Sequence, residues 1–311
     1  MRKLEFLLCG SPNDAFWSQL AMFRLSLDSL GPEFRAARVV LVLGDLERVP
    51  VPRRWRPWLR RVDIEWTPIE SFLEWGDGED YLFTLLDPTA DLSFICDADT
   101  LLVRPIPADM LDRMIRDPAI HGVIAHVPVP KKDDRGVDLR HLDNEAFWSE
   151  LAKRVLGRAI DLPHHYTLNA ELGRCPFYIN YGFVAAPPAL LQQLHEQMAS
   201  VVPKIRDWVD NRFYSQLGIA LAVEQGGIPT RALPMRYNFP NDARFDAAYP
   251  EEMEHALLIH YLRLDQFNRH RIFADNEEFD RFGELDLEGS NRVFQDYVWK
   301  LTGGHYPFAD A

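Results

Sequence analysis

Apolar runs of strand length alternate along the chain with apolar residues at helical spacing. Leu4 to Cys9 reads as a first strand, and Gly10-Ser11-Pro12-Asn13-Asp14 as the turn and cap that open a helix. Phe16, Leu20, Phe23, Leu27 and Leu30 then recur at helical spacing until Gly31-Pro32 stops them. Arg38 to Leu43 is a second strand ending in Gly44-Asp45, and Val62, Ile64 and Trp66 alternate as a third. The run Leu92 to Val103 has the Phe, Ile and Val content of a buried strand. A short helix follows over Ala108 to Arg116, then a strand from Ile120 to Val127. Phe177 to Ala186 is another strand. Of the next two helices, the first is opened by Pro187-Pro188, the second by Pro203 and closed by Gly226-Gly227. Thr230 to Leu233 and His255 to Tyr261 are short strands, and a tail helix carries Val293, Phe294, Tyr297, Val298 and Leu301. Strands alternating with helices predict an α/β fold, a mostly parallel open sheet flanked by helices, with ligands at the carboxyl ends of the strands.

Between residues 128 and 173 the composition turns polar, with Lys131-Lys132-Asp133-Asp134-Arg135 as a charged loop and Asp143 capping a helix that carries Phe147, Leu151 and Val155 on one face. This segment reads as an insertion, a candidate lid or acceptor platform. A body over 1–270 with a helical tail over 271–311 packed on it accounts for the whole pattern.

Composition narrows the partners. With 311 residues and 47% hydrophobic content the chain can bury a large core. A formal net charge of -13 argues against general affinity for nucleic acid. Cys9, Cys96 and Cys175 are far apart and inside apolar segments, which suits buried thiols in a reducing compartment. Neither a signal peptide nor a run long enough to cross a bilayer is visible, so a cytoplasmic location is expected. Arg53-Arg54-Trp55-Arg56-Pro57-Trp58-Leu59-Arg60-Arg61 stands out in an acidic chain. It reads either as a solvated connector with its tryptophans tucked on the body, or as a peripheral contact with an anionic membrane at 53–61.

The candidate chemistry sits where the Leu92 run meets its carboxylates. Asp97 and Asp99 are two apart, so on extended backbone they reach into one space at the sheet's edge. With 47 acidic residues in 311, about seven such triplets arise by chance. This one terminates an apolar strand, where unpaired carboxylates are costly and a divalent cation would relieve them. The competing reading is a solvated turn or a helix cap at Asp99. No Gly-x-Gly-x-x-Gly, Gly-x-x-x-x-Gly-Lys, Gly-x-Ser-x-Gly or His-Glu-x-x-His is present, which leaves dinucleotide, P-loop, serine hydrolase and zinc protease chemistry without support.

An ordered series of segments extends the picture. Tyr81 to Leu86 leads into Phe94-Ile95-Cys96-Asp97-Ala98-Asp99; then come Tyr178-Ile179-Asn180-Tyr181-Gly182, Ser215-Gln216, Leu233-Pro234-Met235-Arg236-Tyr237-Asn238 and Leu258-Ile259-His260-Tyr261. The series resembles nucleotide-sugar glycosyltransferases of the GT-A fold, of the retaining glycogenin and lipopolysaccharide-galactosyltransferase kind. It departs from them in two places: Ser215 stands where the family has Asp, and Leu262-Arg263 replaces the Gly and Lys-Pro-Trp segment, with Arg269 and Arg271 as candidate replacements for its phosphate-binding lysine. The resemblance implies a single GT-A-like domain that transfers a sugar from a nucleotide-sugar, UDP-linked first, to a saccharide or glycoconjugate acceptor. It makes Asp97, Asp99 and His260 the ligands of Mn2+, with Mg2+ second. It assigns Gly10, Ser11, Asn13, Tyr81, Asp97, Ala98, Asp99 and Arg263 to the donor, Asn180 and Gln216 to the sugar, and Asp210 or Asp242 to a base role should the reaction invert. Blander roles stand beside these: helix capping for the first loop, a core histidine at 260, and surface polar groups at 180 and 216. Nucleotidyl transfer to a sugar phosphate and a non-catalytic nucleotide- or glycan-binding scaffold are the rival functions.

Overall fold

The computed structural model describes residues 1–44, 48–67, 81–129, 142–209 and 213–308. Among these, seven strands form the central sheet: β1 Leu4–Gly10, β2 Arg38–Gly44, β3 Asp63–Thr67, β4 Leu92–Asp97, β6 Ile120–Ile124, β9 Ile179–Ala186 and β10 Thr230–Ala232. Their order is β10-β6-β9-β4-β1-β2-β3. β1 pairs in parallel with β2 and β4, β2 with β3, and β10 with β6, whereas β9 runs antiparallel to both β4 and β6. A second sheet of order β11-β12-β5 joins Phe239–Pro240, Leu258–His260 and Thr100–Leu102, and the two-residue strands β7 His164–His165 and β8 Arg174–Cys175 pair with each other.

Alternation along the strands feeds two apolar layers. Phe6 and Leu8 face one side, with the Asp14–Ser29 helix and the tail; Leu7 faces the other, with the Asn144–Leu156, Pro188–Arg206 and Tyr214–Gly226 helices. The tail is woven into the first layer. Phe294 stacks 4.6 Å from Tyr261 and 5.7 Å from Phe267, and Tyr297 Oη meets Ser26 and Ser29 of the first helix.

Two expectations change. Leu92 to Val103 is not one strand: the chain turns at Ala98-Asp99, closed by Thr100 Oγ1 donating to Asp97 O at 2.7 Å, and β5 belongs to the second sheet. Pro203 does not open a helix. The Pro188–Arg206 helix runs through it, Pro203 giving up one N–H of the hydrogen-bond ladder three residues before the helix ends, and the next helix starts at Tyr214. The Asn144–Leu156 helix, capped by Asp143 as expected, spends its apolar face on the core: Phe147, Trp148, Leu151 and Val155 are buried, and Trp148 donates to Tyr166 Oη at 2.8 Å. The charged run 131–135 lies outside the described residues.

The Arg- and Trp-rich segment lies against the body. Trp55 is fully buried, its ring 5.3 Å from Phe308 and its indole N–H on Asp14, and Trp58 lies 5.1 Å from the same phenylalanine. Arg54 and Arg61 pair with Asp14 and Asp28 of the first helix. No helix among the described residues is long and apolar enough to cross a membrane.

Candidate metal and donor site

Two strand pairings assemble the site. β1 and β4 end side by side, with Cys9 in register with Asp97. After the Ala98-Asp99 turn the chain enters β5, whose Thr100 pairs with His260 of β12, and Tyr261 N donates to Asp99 O at 3.0 Å. The ligand atoms of Asp97, Asp99 and His260 thereby fall within 4.8 Å of one another. His260 Nε2 is 3.2 Å from Asp99 Oδ1 and 3.3 Å from Asp97 Oδ2, and the Arg269 guanidinium pairs with Asp99 Oδ2.

The electrostatics of this cluster suit a cation. Burial pushes the Asp97 carboxyl up, against the pull of His260 and Arg269. Burial pushes the His260 imidazole down, opposed by Asp97 and reinforced by Arg263. A neutral imidazole carries one N–H, so Nε2 can donate to only one of the two carboxylates it faces. Two carboxylate oxygens and one imidazole nitrogen form a donor set that fits a divalent metal.

Behind His260, β9 supplies a glycine where nothing larger fits. A Cβ at Gly182 would lie 2.5 Å from His260 Nδ1 and 2.4 Å from Asn238 Oδ1, two buried atoms without a hydrogen-bond partner. Asn180 Oδ1 accepts from Gly182 N at 2.9 Å and from Asn238 Nδ2 at 2.8 Å. The Asn-x-Gly pair therefore packs beneath the candidate metal site.

In front lies a cavity of about 230 Å³, walled by Cys9, Gly10 and Ser11 from the end of β1, Phe16 and Gln19 from the first helix, Asp97-Ala98-Asp99, and Arg269 with His270. Gly10 is needed for close approach, since a Cβ there would sit 2.7 Å from the Phe16 ring. A wider cleft of about 490 Å³, lined by His121, Asp117, Arg231 and Tyr237 among others, includes none of Asp97, Asp99 and His260, so its size does not make it the centre of this chemistry.

Gly10, Ser11, Asp97, Ala98 and Asp99 thus stand together on the cavity wall, with His260 against the two aspartates. The other expected residues stand elsewhere. Asn13 caps the first helix, accepting from Phe16 N at 3.2 Å. Tyr81 packs against the second apolar layer, and Gln216 is half-buried in the first turn of its helix; neither they nor Asn180 line the cavity. Arg263 does not line it either, and donates from Nε to Asp242 at 3.0 Å. Asp242 also receives Arg244, and these partners push its carboxyl down to about 2, which makes it a feeble base. Arg271 turns away to Glu278. Asp210 lies outside the described residues.

Sequence reasoning missed Phe16, Gln19 and His270 as site residues and took Cys9 for a buried thiol. Cys9 is half-buried because it borders the cavity. Gln19 did carry a signal: it is a polar residue on the apolar face of the first helix, three positions after Phe16.

No family model matches the chain, and no curated protein sequence matches it. Solved structures do. The apo structure of WbbM, a bifunctional glycosyltransferase, matches with a TM-score of 0.51 at 11% identity, over 98% of this chain and 52% of that one. The glycosyltransferase GlyE of Streptococcus pneumoniae TIGR4 matches with 0.49 at 12%, over 100% and 66%, and mouse xyloside xylosyltransferase 1 with 0.48 at 13%, over 84% and 97%. This chain spans about half the length of WbbM. At such identities the likeness is one of architecture, and with the mixed seven-stranded sheet and its flanking helices it gives the chain a GT-A-like glycosyltransferase fold.

Proposed function

We propose that the chain is a metal-dependent glycosyltransferase that moves a sugar from a nucleoside diphosphate, UDP first, to a hydroxyl of a saccharide or glycoconjugate. The observation that carries the reading is the meeting of Asp97, Asp99 and His260 at the carboxyl ends of β1 and β4, beside a cavity with one basic wall at Arg269. Asp97, Asp99 and His260 would hold Mn2+, or Mg2+ in second place. When bound, the metal neutralises the diphosphate as a leaving group. Arg269 adds a fork of N–H donors for phosphate oxygens. Gly10 and Ser11 expose backbone to the nucleoside, with Gln19 and His270 beside them.

In the reaction, the bond from the anomeric carbon to the diphosphate oxygen breaks toward a cationic sugar, and the acceptor hydroxyl bonds to that carbon. Its proton goes to the departing phosphate oxygen. Attack from the face the nucleotide leaves gives retention, and the ion-paired state of Asp242 favours that course over inversion by this residue. We assign the Asn180 side-chain N–H groups, its Oδ1 being engaged, and Gln216 to sugar hydroxyls.

The test is incubation with a panel of nucleotide-sugars, with and without Mn2+, on wild type and Asp97→Ala. Release of one nucleoside diphosphate that needs both Mn2+ and Asp97 supports the reading. Silence with every donor, or pyrophosphate release from a nucleoside triphosphate and a sugar phosphate, overturns it.

A further inference from the structure

Three arginines follow β12 before the tail helices, at 263, 269 and 271, and their side chains have separate engagements. Arg263 is held by Asp242, and Arg271 by Glu278. Arg269 alone of the three reaches into the cavity, with its guanidinium on Asp99 Oδ2. His260 Nε2 stands 3.2 Å from the other oxygen, Oδ1. Both oxygens of Asp99 are therefore engaged. A dication that needs Asp99 as a ligand meets a guanidinium already there.

Arginine cannot yield by losing its proton, so its charge stays against an incoming dication on the same carboxylate unless the side chain moves. The backbone at 269 is tied down: Gln19 Nε2 donates to Arg269 O at 3.3 Å, and His270 N donates to Asn268 Oδ1 at 3.0 Å. Movement then means rotation of the long side chain about a fixed root, and a diphosphate in the cavity is an anion within its sweep. We propose that Arg269 is an exchange group: it neutralises Asp99 until a divalent cation and a nucleoside diphosphate arrive together, then gives Asp99 to the cation and takes the diphosphate.

The inference rests on the donor site proposed above and adds a thermodynamic consequence to it. The cation alone must displace Arg269 without offering it a new partner, so it binds weakly. With the nucleotide present, Arg269 moves from one anion to another. Each ligand raises the affinity of the other by the same factor. Arg269 acts here on metal affinity, not only as a phosphate contact, and removing it should have opposite effects on the two ligands.

The experiment is calorimetric titration of Mn2+ into the full chain, with and without UDP, for wild type, Arg269→Gln and Arg269→Lys, with circular dichroism to verify folding. Arg269→Gln should bind Mn2+ alone at least about tenfold more tightly than wild type, and the factor by which UDP improves Mn2+ binding should drop by about tenfold. Arg269→Lys, which keeps the charge and loses the fork, covers failure of the glutamine variant to fold. It should bind Mn2+ alone as weakly as wild type, within about threefold, and gain less from UDP. Arg269→Gln binding Mn2+ alone no more tightly than wild type overturns the exchange and leaves the donor site standing, as does Arg269→Lys gaining as much from UDP as wild type. Absence of Mn2+ binding in every protein, with UDP or without, overturns the donor site and the exchange together.

Discussion

A single methyl group at Gly182 tests how β9 supports the metal site. The new Cβ would lie 2.4 Å from Asn238 Oδ1 and 2.5 Å from His260 Nδ1, deep inside van der Waals contact. Neither group can swing out to water, because Asn238 is fully buried and His260 nearly so. Overpacking of this kind costs about 1–3 kcal/mol, of which about 0.5–1 is returned by replacing a strand glycine with alanine. Gly182→Ala should therefore lose about 0.5–2 kcal/mol, a fall of roughly 1–3 °C in Tm for a chain of this size. The imidazole that is pushed aside is also a proposed ligand, so Mn2+ affinity should fall about 10- to 100-fold, as when other supports of a metal ligand are removed. Thermal unfolding with and without Mn2+ and UDP reads both effects. A variant with wild-type Tm and wild-type Mn2+ affinity would refute the packing argument and the placement of His260 together.

Other substitutions probe separate parts of the molecule. His121 is almost wholly buried with both ring nitrogens unpartnered, and burial pushes its imidazole down from 6.5 to about 4. The unfolded chain takes up that proton first, so the stability this neutral histidine carries is complete above pH 6.5 and is lost as pH falls from there to about 4. His121→Leu should remove about 3 kcal/mol of that acid loss, read by urea unfolding at pH 7 and pH 4; parallel profiles would count against it. Asp242→Asn should lower the rate of sugar transfer less than about tenfold, because a carboxyl held near 2 by Arg244 and Arg263 is not the base; a loss of about a hundredfold or more would assign it that role. Trp55→Ala should cost about 3–5 kcal/mol by emptying the space under Phe308, and a loss below about 1 kcal/mol in denaturant unfolding would mean the indole is not packed as described.

The layered fold was legible because strand-length runs and helically spaced residues each have one physical solution: Leu4–Gly10 and Arg38–Gly44 came out within a residue of their expected ends. The break after Asp97 was not legible. Leu101 and Leu102 are as apolar as Phe94 and Ile95, and what diverts them into a second sheet is pairing with β12, more than 150 positions away. Asp97 and Asp99 were visible as acids ending an apolar run. His260 became visible through the resemblance alone, since a histidine in a short strand has many ordinary explanations. The same resemblance offered both Arg269 and Arg271, and the pairing of Arg269 with Asp99 and of Arg271 with Glu278 separates them. Asn180 was expected at the sugar; its Oδ1 also accepts from Gly182 N and from Asn238 Nδ2, and the second of these, between residues far apart in sequence, is one that no local pattern encodes.

If Asp97, Asp99 and His260 form a metal site for a nucleotide donor, metal and nucleotide should stabilise the chain together. Thermal unfolding with a panel of nucleoside diphosphates, with and without Mn2+, on wild type and Asp99→Ala tests it most directly. At about a hundred times its dissociation constant a nucleotide adds about 2.7 kcal/mol, enough to raise Tm by several degrees. Such a rise is expected with one diphosphate, dependent on Mn2+ and absent in Asp99→Ala. A wild-type protein whose Tm is unmoved by every nucleotide and metal combination would contradict it.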